Sequence, residues 1–445
     1  MSRTYWNEEI EMISPADSRR LESDRLREQI AYNCRTSPFF AAKLAAAGVK
    51  PEQIRSLEDL PLIPMMEKQE IAESQRSGSV LGINQCAPLD SIVRIQATGG
   101  TTGQPMRIGM TRQDIADYCE MGARALWAMG CRPGDIVFTC MNFSLYAGGV
   151  SDHLNFETVG AVTIPYGVGQ SERLLTMIAN IRQEVGIWAT PSYAVRLAEV
   201  ARAAGVEPRS LPLRKGYFSG EAGLQVPGYR RKIEEIWGMH AQDMYGTGEL
   251  GLHSGECQHR RGFHYGATGF VVTELIDPNS GEVLPFEDGR QGEAVYTSIR
   301  RQACPLQRLR SHDLMQVFTE PCACGRTSFR FLVHGRSDDM FIVKGVNVFP
   351  GAIHSTLMRF EPRLTGEFQV ILDRPPPIDY PVTIRVEVAH QLPGPAHAAL
   401  IREVADRLQR DHNFTSMVVP VAQGSIASEK KTRRVVRAYR GEGES

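Results

Sequence analysis

The sequence predicts an α/β fold: a large N-terminal domain of mixed, largely parallel sheets with flanking helices plus a β-subdomain, and a small α+β C-terminal domain. Three observations predict it. Short apolar runs alternate with helical patterns through the middle of the chain. After Tyr245 the texture changes to strand–turn–strand. The last hundred or so residues are a separate set of strands around one long helix.

Taken in order, Ser18 to Gly48 reads as helix, with apolar residues at three-to-four spacing and a terminal glycine. Ser91 to Ile95 is a short strand, and Gln113 to Met129 is an amphipathic helix. DIVFTCMNF, AVTIPYG, VGIWAT and LRKGYFSG read as buried strands. ERLLTMIANIRQ, YAVRLAEVARAAG and YRRKIEEIWG read as the helices between them. FVVTELIDPNSGEVLP and GEAVYTSI are strands, with Pro-Asn-Ser-Gly as the turn. FQVILD, VTIRVEV and MVVPVA are strands of the last unit, and PAHAALIREVADRLQRDH is its helix. The division falls at 1–337 and 338–445, within the polar stretch Gly335 to Asp339.

Composition bounds the function. The chain has 445 residues, enough for two or three domains with a large core. With 50 basic and 51 acidic side chains the net charge is −1, so no general nucleic-acid or anionic-membrane binder is expected. There is no secretory signal pattern at the N-terminus and no run of 18 apolar residues, so no membrane partner is expected. Nine cysteines, an odd and mostly scattered number, suit a cytoplasmic protein better than a disulfide framework.

The stretch ATGGTTGQP, Ala97 to Pro105, can be neither a helix interior nor a central strand. It follows a strand and precedes a helix. Backbone N–H groups and threonine hydroxyls in such a loop can surround phosphate oxygens. It is not a Walker loop, since no GK[ST] follows. A second feature is PCACG, which carries Cys322 and Cys324. With Cys257 and His264 these make a Cys3His set suited to a closed tetrahedral structural zinc site. His253, His259 and Cys304 remain open as alternative ligands.

ATGGTTGQP, YGTGELG, QRLRSHD, GRSDDMFIVKGVNVFPGAI and SEKKTRR occur in that order. Together they resemble the adenylate-forming superfamily, and within it the phenylacetate-CoA ligase family. The resemblance covers nearly the whole chain. It implies activation of an aromatic carboxylic acid by ATP and Mg2+ to an acyl-adenylate, then transfer to coenzyme A. Transfer to a carrier-protein thiol or an amine stays open, as does a catalytically silent nucleotide binder. It further implies that Thr98, Gly100, Thr101, Thr102 and Gly103 hold the phosphates. Tyr245 and Gly246 would lie against adenine, Asp313 would accept from the ribose, and Arg336 would approach ribose or phosphate. Glu249 matches the magnesium-associated glutamate. Lys431 matches the catalytic lysine, with Lys430 the neighbouring alternative. Asp338 falls at the hinge of a mobile C-terminal domain, with Asp339 able to serve equally. Tyr146, Gly148, Ser219, Gly220 and Glu221 would line the acid pocket. There a buried Tyr146 hydroxyl would need a partner, a substituent on the acid or a backbone carbonyl. Some relatives hold zinc with the cysteine–histidine arrangement, and the resemblance makes a homodimer a reasonable expectation.

The chain departs from the family pattern in four places. Gly99 and Gln104 stand where the loop often has serine and lysine. Gly248 stands where a hydroxyl residue precedes the glutamate, and His312 where RYRTGD has glycine. At least one phosphate hydrogen bond and one charge of the family pattern are thus expected to be missing.

Overall fold

The computed structural model describes residues 3–76, 80–98, 105–221, 224–226, 228–337, 341–343, 346–348, 350–375, 377–389, 394–426 and 434–439. The chain opens with α1 (Glu8–Glu11), α2 (Pro15–Thr36) and α3 (Pro38–Ala46), followed later by α4 (Lys68–Ser74). The single helix expected from Ser18 to Gly48 is therefore two. Pro38 has no N–H to donate and disfavours a helical residue before it. Ser37 is accordingly extended, at φ −127° and ψ 118°, and it ends one helix and begins the next.

β1 (Ile92–Ala97) and β2 (Arg107–Thr111) form an antiparallel ribbon on either side of the glycine–threonine loop. α5 (Arg112–Ala128) starts with a reciprocal cap. Thr111 Oγ1 accepts from the Asp114 N–H at 3.1 Å, and Asp114 Oδ2 accepts from the Thr111 N–H at 2.9 Å.

The alternating region then folds as read. β3 (Ile136–Thr139), α6 (Ala147–Val159), β4 (Val162–Pro165), α7 (Ser171–Ala179) and β5 (Val185–Ala189) come first. α8 (Pro191–Ala203), β6 (Leu213–Phe218), α9 (Tyr229–Trp237) and β7 (His240–Thr247) complete it. These five strands pair in parallel in the order β4-β3-β5-β6-β7. Every residue of β5 is buried, as a strand covered on both faces requires.

The strands after Tyr245 continue the same sheet in antiparallel fashion. They are β8 (Gly251–Glu256), β9 (Phe263–Tyr265), β10 (Val271–Ile276), β11 (Val283–Leu284), β12 (Gln291–Ser298), β13 (Leu309–Phe318) and β14 (Arg330–Arg336). The twelve-stranded order is β11-β10-β12-β13-β14-β9-β8-β7-β6-β5-β3-β4. The change of direction lies between β7 and β8.

β15 (Phe341–Val343), β16 (Val346–Val348), α10 (Pro350–Leu357), β17 (Leu364–Leu372), β18 (Val382–Val388), α11 (Gly394–His412), β19 (Ser416–Ala422) and β20 (Val435–Arg437) follow. Four of these strands make a separate sheet, β19-β18-β17-β20. It has its own core, in which Val370, Ile384, Val404 and Leu408 are fully buried. Strict alternation of buried and half-buried residues along β17 sets which face meets the helices.

The N-terminal arm packs against much later residues. Tyr5 Oη donates to the Cys324 carbonyl at 3.1 Å, and Arg326 pairs with Glu11 at 2.6 Å. From α2, Gln29 Nε2 donates to the Arg301 carbonyl at 2.8 Å. Among the described residues no helix is long and apolar enough to cross a membrane.

Phe331 on β14 is fully buried, and its ring centroid lies 5.3 Å from that of Tyr245. Phe331→Ala is expected to cost about 3–5 kcal/mol and to lower the thermal unfolding midpoint. A variant that melts with the wild type would show that this position does not carry the packing described.

Candidate active site

The end of β7, where parallel strands give way to antiparallel ones, is a switch point of the kind at which α/β sheets bind ligands. The chain turns there through Gly246 and Gly248 because side chains do not fit. A Cβ on Gly246 would lie 2.4 Å from the Gly251 carbonyl oxygen, and one on Gly248 would lie 2.9 Å from Thr98 Cα. This accounts for the missing hydroxyl residue before Glu249: the base of the glycine–threonine loop occupies its space. Thr98 donates its N–H to the Met106 carbonyl at 3.0 Å, and its Oγ1 accepts from the Met106 N–H at 3.2 Å. The segments flanking residues 99–104 are thereby joined over the β7 turn. Gly100, Thr101, Thr102 and Gly103 themselves lie outside the described residues, with Gly99 and Gln104.

Tyr245, Asp313 and Arg336 come together from three strands. Tyr245 Oη donates to Asp313 Oδ2 at 2.5 Å, and Arg336 Nη1 lies 3.3 Å from Asp313 Oδ1. Asp313 and Arg336 are direct cross-strand partners on β13 and β14. The half-buried Tyr245 ring packs against Phe263, Phe331 and His253. Burial, and then the Asp313 charge, push its hydroxyl well above the usual tyrosine range, so it stays a donor.

Glu249 is buried, with 3% exposure, and Lys68 Nζ lies 2.8 Å from its Oε1. The contact is an ion pair between a buried carboxylate and a half-buried ammonium. Burial pushes the Glu249 carboxyl up, but the Lys68 ammonium, with hydrogen bonds from the Glu249 N–H and Thr247, together outweighs it and the net shift is downward. Nothing in the local sequence around Glu249 announces Lys68, which begins α4. It arrives because Met66 pairs with the edge of β13. The Met66 N–H donates to the Arg308 carbonyl at 2.9 Å, and the Met66 carbonyl accepts from the Arg310 N–H at 3.0 Å.

The expected acid pocket gathers around Met141, which sequence reasoning missed. A Cβ on Gly148 would meet Met141 Cε at 3.7 Å, and one on Gly220 would meet it at 3.6 Å. Tyr146 caps the start of α6 and bridges to Ala97 at the end of β1. It is 38% exposed, so the expected buried hydroxyl is corrected: water can satisfy it and no protein partner is required. Ser219 follows β6, its N–H bonded to the Ala189 carbonyl at 3.2 Å. Glu221 Oε1 accepts from the Ser192 N–H at 2.6 Å, at the start of α8. Burial raises the Glu221 carboxyl, opposed by the Ser192 hydroxyl and then by Arg434 from the C-terminal unit. Arg434 itself pairs with Glu367 at 2.8 Å. Lys431, Lys430, Asp338 and Asp339 lie outside the described residues.

Cys257, His264, Cys322 and Cys324 form one group, with all four ligand atoms within 4.8 Å of one another. The Cys257 and Cys322 sulfurs are 3.7 Å apart, close to the edge of about 3.8 Å that a tetrahedron with zinc–sulfur bonds near 2.3 Å demands. Cys324 Sγ lies 3.3 Å from His264 Nε2. A hydrogen bond from Cys257, against burial, and then the His264 ring pull the Cys324 thiol down to about 2, in the direction of a thiolate ligand. The alternatives are elsewhere: His253 lies among aromatic rings, Cys304 is in the main core, and His259 is exposed.

The tyrosine–aspartate–arginine group and a buried glutamate at a sheet switch point, one residue from the Gly248–Thr98 contact, fit an adenylate-forming enzyme. Comparison with known proteins agrees. Residues 345–438 match the AMP-binding enzyme C-terminal domain. The chain is 34% identical over 386 residues to the phenylacetate-coenzyme A ligase of Thermus thermophilus, covering 86% of this chain and 84% of that one. It is 30% identical over 434 residues to that of Escherichia coli, covering 96% of each. Among solved structures, 2-hydroxyisobutyryl-CoA ligase with R3-HIB-AMP in the postadenylation state is 31% identical with a TM-score of 0.90. That match covers 98% of this chain and 93% of the other. In its thioesterification state the similar ligase gives a TM-score of 0.72 at 32% identity, covering 98% and 92%. The chain belongs to the phenylacetate-coenzyme A ligase family.

Lys68→Ala removes the partner of a buried carboxylate, and burial alone then raises the Glu249 pKa above its unfolded value. A raised folded value means that the native state holds the extra proton. The variant is therefore expected to lose stability as pH rises above about 4.5, the unfolded carboxylate range. In the wild type the lowered Glu249 instead contributes stability at neutral pH, lost as pH falls through that range. Thermal melts of both proteins from pH 5 to 8 check this; parallel curves would refute it.

Proposed function

We propose that the protein activates an aromatic carboxylic acid with ATP to its acyl-adenylate and then transfers the acyl group to coenzyme A. The observation that carries this reading is the convergence of Thr98, Tyr245, Glu249, Asp313 and Arg336 at the end of β7. In the first half-reaction a carboxylate oxygen attacks the α-phosphorus and pyrophosphate leaves. In the second the coenzyme A sulfur attacks the acyl carbon and AMP leaves. Two anions must be brought together, so catalysis is chiefly positioning and charge stabilisation. Thr98 and the loop through Gly103 would grip phosphates, Tyr245 and Gly246 would face adenine, and Asp313 would accept from the ribose hydroxyls. Lys431 would neutralise charge shared between the carboxylate and the α-phosphate.

Glu249 fits a magnesium ligand, being an ionised carboxylate at the loop base. It would supply one oxygen, the phosphates and water supplying the rest; the cation's contribution is to balance phosphate charge. Cys257, His264, Cys322 and Cys324 fit structural zinc, with no position left open for chemistry. The zinc would join the β8–β9 turn to the segment before β14. We also propose that the C-terminal unit moves about Asp338 between the half-reactions. The contacts between units support a seated state that can be broken: Lys232 pairs with Glu361, and Gln423 Nε2 donates to Glu199 Oε1 at 2.7 Å. A homodimer and a cytoplasmic location complete the reading.

ATP–pyrophosphate exchange across aryl and alkyl acids is expected with an aryl acid, and thioester on adding coenzyme A. Lys431→Ala is expected to lower exchange by at least 100-fold, within the range of a lost charge-stabilising group. Exchange with alkyl acids alone would overturn the substrate class, and exchange unchanged in Lys431→Ala would overturn the residue assignment. Protein purified without chelators is expected to carry one zinc per chain, and Cys322→Ser to lose it. A wild type free of zinc would refute the metal reading.

A further inference from the structure

His312 stands in a left-handed backbone conformation, φ 65°, which glycine adopts freely and a residue with a Cβ does not. The side chain held there clamps one segment. His312 Nε2 lies 3.1 Å from Glu67 Oε2, and Arg310 Nη1 lies 3.4 Å from Glu67 Oε1. Both carboxylate oxygens of Glu67 are thus engaged, one residue before Lys68. The clamp is itself anchored. Glu293 has no solvent exposure, and its Oε2 lies 2.8 Å from Arg310 Nη2 while its Oε1 lies 3.6 Å from His312 Nδ1. Burial pushes the Glu293 carboxyl up, but the contacts from His312 and Arg310 together outweigh it and bring it down to about 2. His312 Nδ1 also lies 3.2 Å from Ser337 Oγ.

The residue after Glu67, Lys68, meets Glu249, which follows Gly248 and its close approach to Thr98. The glycine–threonine loop carries Gln104, not lysine. Among the described residues, Lys68 is the ammonium that stands beside Glu249, one residue from the Gly248–Thr98 contact. We propose that His312 is a positioning residue. By gripping Glu67 it holds Lys68 at the phosphate end of the nucleotide site, supplying from α4 the charge that the loop lacks. This rests on the adenylation reading above.

The test uses the full chain, with the Kd of magnesium-ATP from calorimetry, kcat and KM for ATP from pyrophosphate exchange, and the thermal midpoint. His312→Gly frees the backbone but opens the clamp. It is expected to raise Kd and KM for ATP about five- to ten-fold, as loss of an ordinary hydrogen bond would, while kcat and the midpoint hold or the midpoint rises. Glu67→Gln, at a half-exposed site, is expected to raise KM in the same direction. The double variant is expected to be no worse than His312→Gly alone, because both act through one contact. Wild-type ATP affinity in His312→Gly, or a lower midpoint with unchanged KM, would overturn the inference. A wild type that binds no ATP and exchanges no pyrophosphate would instead overturn the adenylation reading beneath it.

Discussion

Three backbones meet at the end of β7 with no room for side chains between them. Gly246 lies against Gly251, and Gly248 against Thr98. This close approach ties the sheet's change of direction to the base of the glycine–threonine loop. Every other site group is measured from it. Glu249 is the next residue after Gly248 and is buried by the same turn. Tyr245 is the residue before Gly246, and its hydroxyl fixes Asp313 on a strand four places away in the sheet. A methyl group at Gly248 would push Thr98 and the loop off the turn, and with them the geometry of the site.

Around that turn the charges are balanced in pairs. Lys68 answers Glu249, Arg336 answers Asp313, and Arg310 with His312 answers Glu293. Each carboxylate is largely removed from water, so each would carry a large penalty if left alone. The pairs draw on segments distant in sequence, which makes the site a product of the whole large sheet rather than of one motif.

Much of this was legible in the residues. Alternation of short apolar runs with helical patterns gave β3 to β7 and their helices because burial on both faces leaves an unmistakable apolar strand. Cys-x-Cys-Gly with Cys257 and His264 was legible because metal ligands need few residue types. The single long N-terminal helix was misread although Pro38 stood in the pattern. Lys68 and Met141 left no signal. Their roles depend on the pairing of Met66 with β13 and on two glycines leaving space, and neither is periodic in sequence. Asp313 and Arg336 were legible as residues, but not as cross-strand neighbours, since register is a property of the sheet.

The docking of the N-terminal arm sets an order on synthesis. Tyr5 and Glu11 find their partners at Cys324 and Arg326, and Gln29 finds its partner at Arg301. A ribosome must make over 300 residues before these contacts can form. These late contacts therefore close after the parallel strands have been made, although Trp6 and Asn7 can already reach Glu120 on α5. Nascent chains released before residue 301 would lack all three of these late contacts, and would be expected to meet chaperones or proteases at the faces those contacts seal.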